Sequence, residues 1–550
     1  MTVWSPPVSG FPRPSTARSV PLTALATRLG VHVVTSGDDV DARTGDVHVT
    51  GVTLASGSVQ PGDLYAALPG SRRHGAEFIA QARQAGAVAV LTDHAGATAA
   101  AAVGLPALVV DNPRAALGGI AAQIYGDPTS RLPVIGITGT NGKTSTTYLI
   151  EAGLRAAGHR TALIGTVETR LGDVRLASER TTPESPELQA LLAVALERGV
   201  TAAVMEVSSH ALALERVTGT RFAVGAFTNF GHEHLDFHGT IDEYFAAKAR
   251  LFDGRCAHEV VNLRSPQAHG LVKADTITVA AADVAPDRAV TWRAGTVRPE
   301  GFDQHVTVTG QDGTRVELTV RIPGAHNVEN ALVALACLTA VGVDPEVAAA
   351  GIASCPGVPG RMEKVTAPGP VLGVVDYAHK PDAVRTVLTA LSEITPGRLL
   401  CVIGAGGDRD HGKRALMGEA AARYADVVIV TDDNPRTEDP AAIRAAVLRG
   451  TAEVPGATVR EVADRRAAII AAVAEAGPGD TIAVLGKGHE QKQEVAGQVL
   501  PFDDRMELAA ALTARFSDPS LAHDGTEPSD QRSLLHPSTQ SGPKQTGACR

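Results

Sequence analysis

One stretch of sequence decides the fold: Gly136-Ile-Thr-Gly-Thr-Asn-Gly-Lys-Thr144. It follows an apolar run at residues 133–137 that is typical of a buried strand, and a helix-like segment comes after it. Glycines between a strand and a helix let backbone amides converge on phosphate oxygens, and the N-terminus of the helix adds its dipole. We therefore predict a phosphate-binding loop in which Lys143 neutralises nucleotide phosphates and the Thr144 hydroxyl contacts Mg²⁺.

After this loop the sequence alternates between apolar runs and helix-like segments. Apolar runs at residues 202–207 and 223–227 lie within a region that we bound at 132–356. Such alternation indicates βαβ units and a parallel sheet, so we predict a central α/β domain. A polar segment at 276–321, which contains the alternating run Val306-Thr-Val-Thr309, is expected to interrupt the sheet as a β-rich insert.

Two further α/β domains are predicted to flank the central one. Residues 1–131 mix short apolar runs with Gly and Pro, a pattern that indicates a small N-terminal domain. Residues 357–516 form a third domain, whose expected strands are 371–375, 399–403, 427–431 and 481–485. The last segment, 517–550, is rich in Ser, Pro, Gly, Thr and Gln and is predicted to be a disordered tail. The expected fold class is α/β.

The composition excludes several classes of protein. The chain has 550 residues and a net charge of −10, so it has no excess of Lys and Arg to meet nucleic-acid phosphates. Its five cysteines are scattered without a CxxC pair, which argues against a disulfide framework or a zinc site. Neither a signal peptide nor a run of about 18 apolar residues is visible. We expect a cytoplasmic monomer that acts on small molecules, without nucleic-acid binding or membrane insertion.

Acidic and imidazole side chains follow two of the predicted strands. Glu206 lies at the end of an apolar run, and α/β sheets place ligands at the carboxyl ends of their strands. The stretch after the next run is Thr228-Asn-Phe-Gly-His-Glu-His-Leu-Asp-Phe-His238. Mg²⁺ prefers oxygen ligands and can share a site with an imidazole, so these segments predict a magnesium site. On periodicity alone Lys248, which comes next, would be a lysine on a helix surface.

The phosphate loop resembles that of the Mur ligases and of their relatives, the folylpolyglutamate synthetases. They share the form Gly-Thr-Asn-Gly-Lys-Thr, and the resemblance extends over about residues 19–516. It implies the three-domain Mur ligase architecture, with a central P-loop parallel-sheet ATPase domain and a Rossmann-like C-terminal domain. It also implies ATP and Mg²⁺ as cofactors. The ATP-binding residues that it implies are Thr138, Gly139, Thr140, Asn141, Gly142, Lys143, Thr144, Asn330, Arg361 and Asp376.

The resemblance also implies a metal centre. By this match Glu206 bridges two Mg²⁺ ions, His234 ligates the second, and Lys248 is carbamylated by CO₂ to N6-carboxylysine. A carbamate turns a cation into an anion whose oxygens can bind Mg²⁺. Glu233 stands where most relatives carry Asp. The implied metal ligands are Thr144, Glu206, His234 and Lys248, and the implied catalytic residues are Lys143, Glu206, His234 and Lys248.

The motif Asp433-Asn434-Pro435-Arg436 bears on the choice of substrate. Without a ligand it would be an exposed Asx-Pro turn. It resembles the signature of the diaminopimelate-adding Mur ligases, in which the Arg pairs with a carboxylate at the far end of the amino acid. A guanidinium suits that role because it binds a carboxylate through two parallel hydrogen bonds. The implied diaminopimelate-binding residues are Arg409, Asp433, Asn434, Pro435, Arg436, Gly486 and Glu490.

A UDP-linked muramoyl dipeptide is the other substrate that the resemblance implies. The family usually carries Asp and Arg where this chain has Ala55 and Gly57, so two charged side chains are missing near the uridine site. The residues implied to bind this substrate are Leu54, Ser56, Ser71, Arg72, Arg73, Thr181, Thr182, Ser208 and Arg216.

The expected reaction is ATP-dependent addition of diaminopimelate to UDP-N-acetylmuramoyl-L-alanyl-D-glutamate through an acyl phosphate, in peptidoglycan precursor synthesis. Two alternatives stay open. A lysine-adding or folate-type relative would have no need of the motif at 433–436. A nucleotide-binding paralogue without ligase activity would account for Ala55, Gly57 and Glu233. A P-loop switch GTPase is disfavoured because the guanine-binding motif Asn-Lys-x-Asp does not occur.

Overall fold

The structure is a computed structural model that describes residues 11–16, 18–35, 47–285 and 288–517. Helices alternate with mainly parallel strands in three large sheets, so the predicted α/β class is confirmed. Of the predicted disordered tail, only Ser517 lies within the described residues. Within those ranges no helix has both the length and the hydropathy needed to cross a membrane. The cysteines described as free thiols are Cys256, Cys337, Cys355 and Cys401.

The N-terminal part contains a small sheet covered by helices. Its described strands are β1 (Val20–Pro21), β2 (Val33–Val34), β3 (His48–Val49), β4 (Gly51–Thr53), β5 (Asp63–Ala67), β6 (Ala89–Thr92) and β7 (Ala107–Val109). Its described helices are α1 (Leu22–Leu29), α2 (Ile79–Gln84), α3 (His94–Ala102) and α4 (Pro113–Ile124). The five-stranded sheet has the order β2-β7-β6-β5-β4 and is parallel except for β2. Leu117, Ile120, Ala121 and Ile124, at helical spacing on α4, pack into its core.

The central part is built on one large sheet. Its strands are β8 (Val134–Thr138), β9 (Thr161–Ile164), β10 (Thr169–Leu171), β11 (Val174–Leu176), β12 (Ala202–Glu206), β13 (Phe222–Phe227), β14 (Cys256–Asn262), β15 (Ile277–Ala280), β16 (Trp292–Ala294), β17 (Arg298–Glu300), β18 (Asp303–Gly310) and β19 (Arg315–Val320). Its helices are α5 (Lys143–Ala156), α6 (Ser185–Glu197), α7 (Ser209–Ala213), α8 (Leu235–His238), α9 (Ile241–Ala249), α10 (Ala325–Ala340) and α11 (Pro345–Ala353). The strand order is β11-β10-β9-β12-β8-β13-β14-β15-β16-β18-β17, and β19 pairs with β18.

The prediction that residues 276–321 interrupt this sheet is wrong, because the segment continues it. β15 pairs in parallel with β14 and β16 with β15, and β18 then joins antiparallel to β16. The polar residues of the segment obscured this, since one face of the sheet is exposed there. The other face is apolar: Val306 and Val308 are 0% exposed and belong to the same core cluster as residues of α10.

The C-terminal part has a second parallel sheet. Its strands are β20 (Glu363–Val365), β21 (Leu372–Asp376), β22 (Leu399–Ile403), β23 (Val427–Val430), β24 (Thr458–Glu461) and β25 (Thr481–Leu485), followed by the hairpin strands β26 (Lys492–Val495) and β27 (Gln498–Pro501). Its helices are α12 (Pro381–Ser392), α13 (Lys413–Tyr424), α14 (Pro440–Thr451), α15 (Arg465–Glu475) and α16 (Asp504–Phe516). The order is β20-β21-β25-β22-β23-β24, with only β20 antiparallel.

Close contacts join the three parts. Gly118 of α4 approaches the loop after α7 so tightly that a Cβ on it would lie 1.9 Å from the Thr218 carbonyl oxygen. On the other side Lys380, at the start of α12, forms an ion pair of 2.6 Å with Glu233 of the central part. The boundaries that we placed at 131/132 and 356/357 stay predictions.

An ion pair buried within the C-terminal part ties α15 to α16. The guanidinium of Arg465 contacts the Asp504 carboxylate at 2.7 Å, and both side chains are 0% exposed. Arg465 also donates to the carbonyl oxygens of Asp432 and Leu485, at the ends of two strands. Because three acceptors share this guanidinium, it fixes the strand ends that carry the loops described below.

Replacing Asp504 with Asn is therefore expected to destabilise the protein. The change leaves Arg465 charged and buried without its ionic partner, which costs about 3–5 kcal/mol. Urea denaturation measures the change in the free energy of unfolding. Glu507→Gln is the matched control, because Glu507 pairs with the exposed Arg466 between the same two helices and should change stability little. Equal stabilities for the two variants would contradict this account.

Candidate active site

The phosphate loop lies between β8 and α5, as predicted from its glycines. Gly142 has a φ of +84° and directly precedes α5. Asn229, from the loop after β13, holds the turn: its backbone oxygen accepts from Thr140 N and its Oδ1 from Asn141 N, both at 2.9 Å. The Lys143 ammonium folds back over the loop and donates to the carbonyl oxygens of Gly139 and Thr140 at 2.9 Å each. The backbone amides and this ammonium form a cradle suited to phosphate oxygens.

Glu206 meets the phosphate loop at the carboxyl end of its strand. Its Oε1 accepts from the Thr144 hydroxyl at 3.1 Å, and the side chain is almost fully buried. The register explains the contact, because Glu206 of β12 lies opposite Ile137 of β8. Thr166, which sequence reasoning missed, donates to the same carboxylate through its backbone N at 2.7 Å and its hydroxyl at 3.1 Å. Its only signal was its position after the apolar run of β9, which neighbours β12.

Lys248 is buried, which rules out the alternative of a lysine on a helix surface that periodicity alone would favour. Its Nζ donates to the Gly139 carbonyl oxygen at 2.7 Å and lies 4.5 Å from the centre of the Tyr244 ring. Burial, and after it the charge of Lys143, holds the pKa of the Lys248 ammonium well below its usual range. A lysine in this setting spends far more time as a neutral amine than a surface lysine does.

His234 lies at the edge of this cluster and is paired with its neighbour Glu233. Its Nε2 is 3.5 Å from the Glu233 carboxylate, and its backbone is left-handed with a φ of +55°. Partial burial lowers the pKa of His234, which favours the neutral imidazole that a metal needs. Although burial opposes ionisation of Glu233, its ion pair with Lys380 holds the pKa of that carboxyl below its ordinary value. Sequence reasoning missed Lys380.

The four predicted metal ligands lie around the phosphate loop, but their side chains do not all contact one another. They are Thr144, Glu206, Lys248 and His234. Among the described residues no group of three or more His, Cys, Asp or Glu side chains could hold a metal ion. The donors that fit Mg²⁺ are the Thr144 hydroxyl and the Glu206 carboxylate, which are buried oxygens 3.1 Å apart.

Three residues outside the phosphate loop were also predicted to bind ATP: Asn330, Arg361 and Asp376. Asn330 is buried, and a Cβ on Gly142 would lie 2.1 Å from its Oδ1. The guanidinium of Arg361 stacks on the Tyr377 ring at 4.6 Å. Asp376 accepts from the backbone N of Met362 and of Ala378 at 2.7 Å each, so its carboxylate shapes the local backbone. Burial raises the pKa of Asp376. Its contact with a nucleotide stays a prediction.

The residues predicted to bind the UDP-linked substrate fall into two groups, of which the first surrounds Glu206. The hydroxyl of Thr182 donates to the Glu206 backbone oxygen at 2.9 Å and accepts from Ser208 N at 3.1 Å. The Thr181 hydroxyl is 3.0 Å from that of Thr166. Arg216 is held at 2.8 Å by Glu184. A substrate bound by this group would lie beside the phosphate loop.

The second group belongs to the N-terminal part. The Ser56 hydroxyl donates to Gln81 at 3.1 Å, Leu54 packs on the core, and Ser71 and Arg72 are exposed. The Arg73 guanidinium pairs with Glu77 at 2.6 Å and stacks on Phe78. A phosphate would compete with Glu77 for it, and the role of this group in binding uridine stays a prediction.

Three loops at the carboxyl ends of β22, β23 and β25 bring the predicted amino-acid site together. These strands are adjacent and parallel, which is where such sheets bind ligands. Arg436, from the second loop, donates to the Gly407 carbonyl oxygen of the first at 2.6 Å. Asn434 donates to the Glu490 carboxylate of the third at 2.8 Å. The Asp433 carboxylate lies so close to Gly486 that a Cβ there would be 2.5 Å away. Arg409 is exposed on the first loop, and Pro435 is buried in the second.

The β26–β27 hairpin fastens this site and was not foreseen. Arg436 has a left-handed backbone with a φ of +53°, held by bonds from its N to Glu494 O at 3.0 Å and from Ala496 N to its O at 2.8 Å. The Gln493 amide donates to the Asp433 backbone oxygen at 2.7 Å. Lys487, also unforeseen, is fully buried under the hairpin and donates to the Lys492 backbone oxygen at 2.7 Å.

Three sequence profiles of the Mur ligase family match the chain: the catalytic domain at residues 48–125, the middle domain at 137–338 and the glutamate ligase domain at 360–488. A Streptomyces coelicolor protein named UDP-N-acetylmuramoyl-L-alanyl-D-glutamate–2,6-diaminopimelate ligase is 52% identical over 507 residues, which cover 92% of this chain and 98% of that protein. A Corynebacterium efficiens protein of the same name is 47% identical over 510 residues, covering 90% and 96%.

A solved structure also resembles this chain over most of its length. The structure of a UDP-N-acetylmuramoyl-L-alanyl-D-glutamate–2,6-diaminopimelate ligase matches with a TM-score of 0.64 and 30% identity, covering 88% of this chain and 99% of that one. The predicted three-domain fold class is confirmed by this likeness.

The contact between Gly142 and Asn330 gives a test of the nucleotide site. Replacing Gly142 with Ala should weaken ATP binding at least about tenfold, because the new methyl group displaces either the loop or Asn330. Isothermal titration calorimetry measures the Kd. Gly158→Ala is the control, since Gly158 has a similar φ of +86° but no atom within 4 Å of its Cβ position. Equal ATP affinities in the two variants would show that the clash does not matter.

Proposed function

The chain belongs to the Mur ligase family, and from that premise we propose that it is an ATP-dependent ligase that adds diaminopimelate to UDP-N-acetylmuramoyl-L-alanyl-D-glutamate. The observation that carries the proposal is the placement of Arg436 and Glu490 on two loops that the bond from Asn434 to Glu490 joins, at the carboxyl ends of β23 and β25, the two strands that flank β22. A guanidinium and a carboxylate held together in this way match an amino acid that carries both a carboxylate and an ammonium at its far end.

The first step brings two anions together. A carboxylate of the UDP-linked substrate attacks the γ-phosphorus of ATP, the bond to the β-phosphate oxygen breaks, and an acyl phosphate and ADP form. The Lys143 ammonium and the amides of the phosphate loop offset the repulsion between these anions. A bound Mg²⁺ would neutralise further phosphate charge. The Thr144 hydroxyl and the Glu206 carboxylate are the donors that fit it, and the family resemblance adds His234 and a carbamylated Lys248.

In the second step an amino group of diaminopimelate attacks the acyl carbon. Phosphate leaves from the tetrahedral intermediate, the nitrogen loses a proton, and an amide remains. Arg436 would hold the far carboxylate and Glu490 an ammonium, so that the reacting amine points towards the phosphate loop. The acyl phosphate must be kept from water, and the ion pair between Lys380 and Glu233 supports closure of the C-terminal part over the central part.

The surroundings of Lys248 support the proposal that it is carbamylated. A neutral lysine amine can add to CO₂, forming a carbamate and releasing one proton. The buried site and the nearby charge of Lys143 favour the neutral amine. The carbamate nitrogen would keep one N–H, which can still donate to the Gly139 carbonyl oxygen that Lys248 contacts at 2.7 Å.

If Lys248 acts as a carbamate, Lys248→Ala should lose activity at least about 100-fold, since electrostatic groups of this kind contribute about 3 kcal/mol. Added acetate should restore part of the activity by supplying an anion in the space of the missing side chain. Phosphate release measures both effects. Lys364→Ala, which removes an exposed lysine, is the control and should be unaffected by acetate. A Lys248→Ala enzyme with normal turnover, or one that acetate does not help, would rule out the carbamate.

Arg436 is proposed to select the amino acid. One of its N–H groups bonds Gly407, and Glu494 lies 3.5 Å from its Nε, which leaves other donors of the five in a guanidinium for a ligand carboxylate. Lysine lacks the far carboxylate, so with lysine bound the remaining donors of this partly buried guanidinium would have no acceptor in the ligand. Losing a hydrogen bond to a charged group costs about 1.5–3 kcal/mol, enough to discriminate by about one to two orders of magnitude.

An assay with diaminopimelate, lysine and ornithine as alternative substrates tests this proposal. Wild-type enzyme given the UDP dipeptide and ATP should use diaminopimelate far better than lysine or ornithine, as measured by kcat/KM. In Arg436→Ala the KM for diaminopimelate should rise and the ratio of lysine to diaminopimelate use should increase. Arg436→Lys should recover little, because an ammonium cannot make two parallel hydrogen bonds. If the ratio is the same in all three proteins, Arg436 is not the selector.

We also infer a domain division at 1–131, 132–356 and 357–516, which the separate sheets in these ranges support. We further propose that the protein works in the cytoplasm as a monomer. The free thiols of the four described cysteines fit a reducing compartment.

A further inference from the structure

A fully buried lysine lies beneath the loops around Arg436 and has no role in the steps above. The side chain of Lys487 is 0% exposed, and three acceptors surround its Nζ. They are the Lys492 backbone oxygen at 2.7 Å, Asn434 Oδ1 at 3.1 Å and Glu490 Oε2 at 3.3 Å. An ammonium has three protons, so these contacts use all of them. Because a buried cation is costly unless it is paired in this way, its position is well defined.

This ammonium decides which way the Asn434 amide faces. Asn434 Oδ1 accepts from Lys487 and also from the backbone N of Glu494 at 3.0 Å. Two donors on one atom identify that atom as the oxygen. The amide nitrogen must then face the third loop, where it donates to Glu490 Oε2 at 2.8 Å.

Glu490 receives both of these donors on one oxygen. Oε2 accepts from Asn434 and from Lys487, whereas no described residue donates a hydrogen bond to Oε1. The Glu490 side chain is 31% exposed, so solvent or a ligand can reach it. The carboxylate is thus fixed at one oxygen and open at the other.

We propose that Lys487 is a positioning residue for amino-acid recognition. It orients Asn434 and Glu490 so that Oε1 of Glu490 stays available for an ammonium group of the incoming amino acid. Without the Lys487 charge, the Asn434 amide loses one of the two donors that fix its orientation, and the Glu490 carboxylate loses one of the two that hold Oε2. This inference rests on the proposed function of the Glu490 loop.

The test is Lys487→Met, which keeps the length and volume of the side chain and removes its charge. The KM for diaminopimelate should rise at least about tenfold, while the KM values for ATP and the UDP dipeptide stay within about twofold of wild type. A residue that only supports the fold would instead change all three KM values and lower the melting temperature. That result, or an unchanged KM for diaminopimelate, would overturn the proposal.

Lys492→Met is the matched control. It removes an exposed lysine from the neighbouring hairpin but keeps the backbone oxygen that Lys487 binds, so its kinetics should equal those of wild type. Lys487→Gln is a second variant in case the Met variant does not fold, because its amide can still donate to Asn434 although it lacks the charge. It should raise the same KM selectively, but by less than Lys487→Met, because the donor to Asn434 is kept and the charge beside Glu490 is lost. Failure of both variants to fold would assign Lys487 a purely structural role and overturn the proposal.

A double-mutant cycle shows whether Lys487 acts through Asn434. If it does, Lys487→Met should raise the KM for diaminopimelate much less in an Asn434→Ala background than in wild type. Additive effects would mean that the lysine acts by another route. The wild-type assay separates this question from the proposed function: an enzyme that releases no phosphate with diaminopimelate refutes the function itself, whatever Lys487 does.

Discussion

The structure depends on the position of one carboxylate, that of Glu206. Its two oxygens accept from the Thr144 hydroxyl and from Thr166, and its backbone oxygen accepts from Thr182. These partners come from the phosphate loop, the loop after β9 and the predicted substrate loop. Because β12 lies between β8 and β9, the register of three parallel strands sets all of these contacts. A slip of one residue would turn Glu206 to the other face of the sheet and separate the loops.

Local signals were enough to predict the parts of the fold that are buried on both faces. The expected strands at 399–403 and 481–485 coincide with β22 and β25, because continuous apolar runs of this length are distinctive in parallel sheets. The phosphate loop was predictable for a similar reason, since its glycines, lysine and following helix are contiguous in sequence. The segment at 276–321 was misread because only one face of its longest strands, β18 and β19, is buried, and its polar residues suggested an insert outside the sheet.

The unforeseen residues share a different property: their roles depend on partners far away in the chain. Thr166 acts through Glu206, Lys380 through Glu233 and Lys487 through Asn434, and none of these pairs forms a motif. A threonine after a strand or a lysine in a glycine-rich loop has many ordinary explanations. Only the three-dimensional arrangement shows that each one completes a hydrogen-bond network around a residue that the sequence had already marked.

Two lysines converge on the carbonyl oxygen of Gly139, and their surroundings give them different chemistry. Lys143 donates to it at 2.9 Å and Lys248 at 2.7 Å. Burial lowers the pKa of both, but Lys143 is also near Glu206 and Glu233, whose charges favour its protonated form. Lys248 instead feels the charge of Lys143 as its largest electrostatic neighbour, which favours the neutral amine further. One lysine is thereby suited to remain a cation facing phosphates. The other, as a neutral amine, is suited to the proposed addition to CO₂, because a carbamate would place an anion beside the Lys143 cation.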